Sequence, residues 1–148
     1  MKELFVPYRE SLELKELGFE EPCFGHYDDS KLSIYWADAD EISNLSIHQS
    51  GNDIINYECL APLFSQIFKW FRDKYSWVHI INPYKFTAEI WFLSEKVINE
   101  KFGDFIPHRH LVDDEGDEIS HSSYEEAELG CIRELIEILK NKKNENNI

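Results

Sequence analysis

Apolar residues recur at helical spacing in three stretches of the chain. Between Pro62 and Tyr75, the residues Leu63, Phe64, Ile67, Phe68, Phe71 and Tyr75 fall on one side of a helix. Lys69, Arg72, Asp73 and Lys74 take the other side, and Trp70 widens the apolar face. Ala127, Cys131, Leu135 and Ile138 form a second stripe, broadened by Ile132, Ile136 and Leu139. Ser123-Tyr124-Glu125-Glu126 has the spacing of a capping box, so this spacing predicts a helix over 123–140. Leu14 and Leu17, with Tyr8 and Ser11 nearby, predict a shorter helix over 7–17. Pro7 suits its first turn, where no backbone donor is needed. Gly18 supplies a left-handed stop, with Phe19 as the apolar contact beyond it. The residues expected in the core are Leu14, Phe64, Ile67, Phe71, Cys131, Leu135 and Ile138.

Elsewhere the period is two. Cys23 to Tyr27 and Lys31 to Ala37 read as the arms of a hairpin turning at Asp28-Asp29-Ser30. Trp77 to Ile81 and Phe86 to Leu93 form a second hairpin around Asn82-Pro83-Tyr84-Lys85. With Pro83 and Tyr84 as loop residues, Trp77, His79, Ile81, Phe86, Ala88 and Ile90 share one face. Val78, Ile80, Thr87, Glu89 and Trp91 share the other. Both faces are partly apolar, which places this hairpin centrally in a sheet. Asp38 to Asn56 reads as a long surface loop, with Leu45 and Ile47 in a short edge strand. Ser94 to about Lys101 reads as a short helix. Gly103 to Ser122 reads as a connection containing a strand over 107–112. The expected fold is α+β, an antiparallel sheet built from two β-hairpins with about three packed helices. Residues 1–148 are expected to form a single domain, with 141–148 as a frayed polar tail.

Composition narrows the function more than the fold. The 148 residues suffice for a core without disulfide or metal staples. The chain carries 29 acidic and 15 basic residues, a net charge of -14. That opposes direct binding of nucleic acid, which needs Lys and Arg against phosphates, and docking on anionic membranes. No apolar run approaches the length of a membrane span. The first ten residues hold no apolar signal core. Cys23, Cys59 and Cys131, an odd number at wide spacings, fit reduced core thiols in a cytoplasm.

Three blocks carry a resemblance. They run from Glu16-Leu17-Gly18-Phe19-Glu20-Glu21-Pro22-Cys23 to Tyr27, from Ala61-Pro62-Leu63-Phe64 to Tyr75, and from Ser123-Tyr124-Glu125-Glu126-Ala127 to Ile132. In this order they resemble a group of small phage and prophage proteins found in Bacteroidetes genomes. The resemblance implies a cytoplasmic location in a bacterial host. It brings no catalytic residue, cofactor or activity to any position of this chain.

The candidate chemistry centres on His108-Arg109-His110 and the acidic run Asp113-Asp114-Glu115-Gly116-Asp117-Glu118. In an extended segment, residues two apart project to one side. His108 and His110 then offer a chelating pair for zinc or nickel, with Asp113 as an acidic third ligand. The run is no EF-hand, because Gly116 comes too early and the ligand pattern is missing. Glu89, in a largely apolar strand, is the best single candidate for a perturbed carboxylate. Cys59 with His79, or Cys131 with His26, would be the residue types of a thiolate–imidazole pair. No phosphate-cradling glycine loop or nucleophile elbow occurs. Trp36, Trp70, Trp77 and Trp91 are candidate interaction residues, since Trp is favoured at protein interfaces. Eight acidic residues and no Lys or Arg lie between Asp113 and Glu128, a surface suited to a basic protein partner or simply to solubility. The leading expectation is therefore a non-enzymatic acidic interaction or accessory protein of phage or prophage origin, with a protein partner and no cofactor. The alternative is a metal-binding protein or metal-dependent hydrolase using His108, His110 and the acidic loop. A third reading is a homo-oligomer that buries the sheet or the helix over 62–75.

Overall fold

The computed structural model describes residues 2–34, 57–93 and 108–145, with the backbone alone for Lys2 and His108. The expected helix over 94–101, the loop and edge strand over 38–56, and the end of the first hairpin beyond Ile34 lie outside these residues. The protein is α+β; the described residues form three α-helices and two antiparallel three-stranded sheets. The chain divides into two compact units, residues 1–64 and 65–148.

In the first unit, a 3-10 turn at Lys2–Leu4 leads into α1 (Tyr8–Glu16). Gly18 ends α1 as its position suggests. It takes a φ of 88°, and Phe19 N–H donates back to the Leu14 carbonyl at 2.9 Å. Strands β1 (Gly25–Asp28) and β2 (Lys31–Ile34) form the expected hairpin, with Asp28 opposite Lys31. Asp29 and Ser30 adopt φ of 51° and 60°. Two positive φ values in a two-residue loop match the right-handed twist of the arms. The third strand, β3 (Cys59–Ala61), pairs with β1 on its other side. Its three residues are all buried, so no alternation betrays it in the sequence. α1 packs on β3. Phe5, Tyr27, Cys59 and Ala61 form the buried cluster, with Tyr8, Leu12, Leu32, Ile34 and Leu63 against it. Val6 N–H donates to the Pro62 carbonyl at 2.9 Å, and Phe5 bridges Leu63. The chain is thus still extended at 62–63, and the next helix starts at Phe64, two residues after Pro62.

The second unit holds α2 (Phe64–Tyr75, whose first residue closes the first unit), β4 (Trp77–Asn82), β5 (Thr87–Phe92), β6 (His108–His110) and α3 (Tyr124–Glu145). Among the described residues its strand order is β4-β5-β6, so β5 is the middle strand of these three and the hairpin as a whole is not. The two hairpins do not share one sheet; each gains its own short third strand. The loop of this hairpin has four residues, not two, because Asn82 pairs with Thr87. The Asn82 carboxamide accepts from Tyr84 and Lys85 N–H, and Phe86 takes a φ of 50°. Lengthening the loop by two preserves parity, so the expected faces persist. Trp77, Ala88 and Ile90 are buried on one face, where His79 stacks on Phe68 with ring centres 3.5 Å apart. Phe71, fully buried, stacks on Trp77. α3 packs on β4 and β5, and Arg109 reaches it through an ion pair to Glu134 at 2.9 Å. All seven expected core residues are buried.

Both ends of α3 refine its reading. Glu126 N–H donates to Ser123 Oγ as in a capping box, but the Glu126 carboxylate returns to Ser122, one residue earlier. The helix continues five residues past Lys140 to Glu145, and Lys142 Nζ lies 4.6 Å from the Trp77 ring centre. That cation–π contact anchors a turn whose sequence alone reads as polar tail. Gly130, inside α3, is required by a neighbour. A Cβ there would lie 2.7 Å from Cε1 of His121, whose ring rests on the helix.

Candidate metal centre

The outer face of the second sheet carries the polar cluster. Alternation along β5 puts Glu89 and Trp91 on this face, and Glu89 stands directly opposite His110 of β6. On the other side Glu89 faces Ile80, which is 45% exposed, so this part of the sheet is open to solvent. Beyond β6 the chain forms a tight loop in which Val112 bridges Glu118 and Ile119 N–H donates to the Leu111 carbonyl. The loop is wound around Asp113, whose Oδ1 accepts from the backbone of Glu115 and Asp117, both at 3.0 Å. Ser120 Oγ and His121 N–H tie the returning strand to the carbonyls of Lys85 and Phe86. These bonds deliver Glu118 to the side of His110.

His110 Nδ1 lies 3.6 Å from Glu89 Oε1 and 3.6 Å from Glu118 Oε1. The ligand atoms of the three residues all lie within 4.8 Å of one another. A tetrahedral ion with bonds near 2.1 Å has donor–donor edges of about 3.4 Å, so two of the three edges need almost no adjustment. Glu89 is half-buried, whereas His110 and Glu118 are exposed. A metal ion placed between the three side chains would satisfy both carboxylates at once.

The expected ligand set is therefore changed. His110 belongs to the cluster. Asp113 does not, because its side chain is committed to the loop backbone; Glu118 stands in its place. Sequence spacing singles out Asp113 as nearest to the histidines, whereas the bridge at Val112 folds the chain back and brings Glu118 instead. The side chain of His108 lies outside the described residues. Glu89 was legible as a carboxylate in an apolar strand, but its pairing with His110 depends on register, which only the third strand fixes.

The aromatic candidates separate. Trp70 and Trp77 are 6% and 4% exposed, which corrects their reading as interaction residues. Trp70 packs within α2 against Phe71 and Tyr75, and Lys74 Nζ lies 4.9 Å from its ring centre. It therefore offers no free face to a base or a partner. Trp91 is half-buried, and its Nε1–H donates to Glu89 Oε2 at 2.9 Å. Trp36 lies outside the described residues.

The thiols are unsuited to nucleophilic work. Burial pushes Cys23 up to about 12, Cys59 to about 11 and Cys131 to about 12. A nucleophile needs the opposite shift. In the first unit a pocket of about 110 Å³ is lined by Ser11, Lys15, Phe19, Glu20, Tyr57 and Leu60. Two of its polar groups are already engaged, Ser11 Oγ with the Val6 carbonyl and Lys15 Nζ with that of Glu58. Among the described residues no helix is long and apolar enough to cross a membrane. Comparison of the chain with protein-family models, curated proteins and solved structures finds no match.

Proposed function

We propose that the protein binds a divalent transition cation of the zinc class on the outer face of its second sheet. The observation that carries this reading is the convergence of Glu89, His110 and Glu118, from three separate segments, with His110 Nδ1 3.6 Å from each carboxylate. One imidazole nitrogen and two carboxylate oxygens suit zinc and its neighbours; purely oxygen-ligated sites suit magnesium and calcium. Three protein donors leave a coordination position for water or for a donor from another molecule, the arrangement of reactive rather than purely structural zinc sites. Such an ion lowers the pKa of its water and polarises oxygen ligands. The chain's own part is to hold the donors: β5 fixes Glu89, β6 fixes His110, and the Asp113 loop fixes Glu118.

Calorimetric titration of chelator-stripped protein with zinc tests this. One ion per chain is expected to bind with micromolar or tighter affinity. His110→Ala and Glu118→Gln should each weaken it at least about tenfold. Weak, unsaturable uptake that both variants share would show a merely acidic surface and end the reading.

A further inference from the structure

Glu89 has two carboxylate oxygens, and the structure uses them differently. Oε1 faces His110 at 3.6 Å, while Oε2 accepts the Trp91 indole N–H at 2.9 Å. Trp91 and Glu89 are two apart on β5, so both project from the same face. The indole nitrogen is a donor only. It can occupy an oxygen but can never become a ligand itself.

We propose that Trp91 is a positioning residue that sets metal selectivity at this centre, by holding Glu89 to one-oxygen coordination. This rests on the metal reading above and adds to it the control of which ion is preferred. Calcium collects six to eight oxygens and commonly takes both oxygens of a carboxylate. Zinc is satisfied by four donors, each offering one atom. With Oε2 engaged by the indole, Glu89 presents a single oxygen in a fixed direction toward His110 Nδ1. The zinc geometry is thereby pre-organised and the calcium geometry loses a donor. A ligating carboxylate that is itself hydrogen-bonded follows the general pattern by which outer partners orient metal ligands.

The test compares zinc and calcium titrations of the native protein and of Trp91→Phe, which keeps an aromatic ring and removes the donor. In Trp91→Phe, zinc affinity is expected to fall about tenfold or more, while calcium affinity holds or rises. The zinc-to-calcium ratio should therefore fall by at least that factor. Equal losses for both ions would indicate damage to the sheet and overturn the proposal, as would native zinc affinity in the variant. A second measurement needs no variant: the Trp91 indole N–H resonance of the native protein should move on zinc addition, in step with saturation. A resonance that stays put as the site fills overturns the proposal too. The two readings fail separately. If the native protein takes up no zinc, the metal centre itself falls and the role of Trp91 with it. If native protein binds zinc and loses it in His110→Ala, but Trp91→Phe behaves as native, only the selectivity role falls.

Discussion

The two units solve the same architectural problem with opposite treatments of their polar side chains. Each has a three-stranded antiparallel sheet, with a short third strand added to a hairpin. In the first, polar groups near the sheet turn inward and are consumed by the fold. The Tyr27 hydroxyl donates to the Val6 carbonyl at 2.8 Å, and Ser11 Oγ donates to the same oxygen at 3.0 Å. In the second, the inner face is largely aromatic and aliphatic, and Glu89, His110 and Glu118 gather on the outer face. Alternation along a strand makes the difference. A residue on the covered face must complete its bonds within the protein, whereas one on the open face can keep a donor set for a solute. The first unit therefore commits these polar groups to its own backbone, and the second leaves three of them gathered on its outer face.

The sharpest way to break this contrast is at the inner face of the second sheet. Phe71 is fully buried and touches Trp70, Tyr75 and Trp77. Phe71→Ala should cost about 3–5 kcal/mol in urea unfolding. A loss under about 1 kcal/mol would mean that this face is no core, and the division between inner and outer residues would fail with it.

The outer face makes the second test. Zinc at a hundred times its dissociation constant should stabilise the protein by about 2.7 kcal/mol, if only the folded chain binds it. His110→Ala should abolish that gain while leaving stability in chelator within about 0.5 kcal/mol, since His110 is exposed. A large loss in chelator alone would make the cluster structural, like the polar groups of the first unit.

The uneven legibility of the two sheets has a physical basis. Helical periodicity marked the three described helices and their buried stripes, because nine or more residues repeat the signal in each. The hairpin turns were legible from Asp29-Ser30 and Asn82-Pro83. The third strand of the first sheet was not, since β3 has three residues, all buried, and carries no alternation. The His110 cluster was half legible for the same reason. His110 and Glu89 each stood out by residue type, but cross-strand register and a bridge at Val112 decide that Glu118, rather than Asp113, joins them. Such pairings join residues far apart in the chain, and local pattern does not encode them.

Tyr27→Phe sharpens the comparison from the other side. It removes the hydroxyl that donates to the Val6 carbonyl but keeps the ring beside Tyr8, 5.5 Å between centres. The cost should be about 1 kcal/mol, the net worth of one buried hydrogen bond. Ser11 Oγ still reaches the same carbonyl, so the oxygen is not orphaned. Zinc affinity should be unchanged. A variant that lost zinc binding would show that the polar groups of the two units do not act separately.

The last effect, no larger than that of Tyr27→Phe, concerns His79 on the inner face. Burial, and then the charge of Arg72, lower the pKa of His79 from 6.5 to about 4. Its ring stacks on Phe68 and stands opposite Ile90 in the sheet. The folded protein therefore resists protonating it, while the unfolded chain takes up a proton near the ordinary value. Between those two pKa values the unfolded state binds more protons, so stability is full above about pH 6.5 and declines as pH falls toward 4. Because the side chain is partly open to solvent, the decline should be modest, roughly 1 kcal/mol between pH 7 and 5. His79→Phe keeps the stack and removes the titration. Subtracting its urea-unfolding profile from that of the native protein cancels the many carboxylates that titrate in the same range. The difference should slope so that the native chain loses ground on acidification. Parallel profiles would show that His79 takes up its proton alike in the folded and unfolded chain, and that its burial does not oppose the charge.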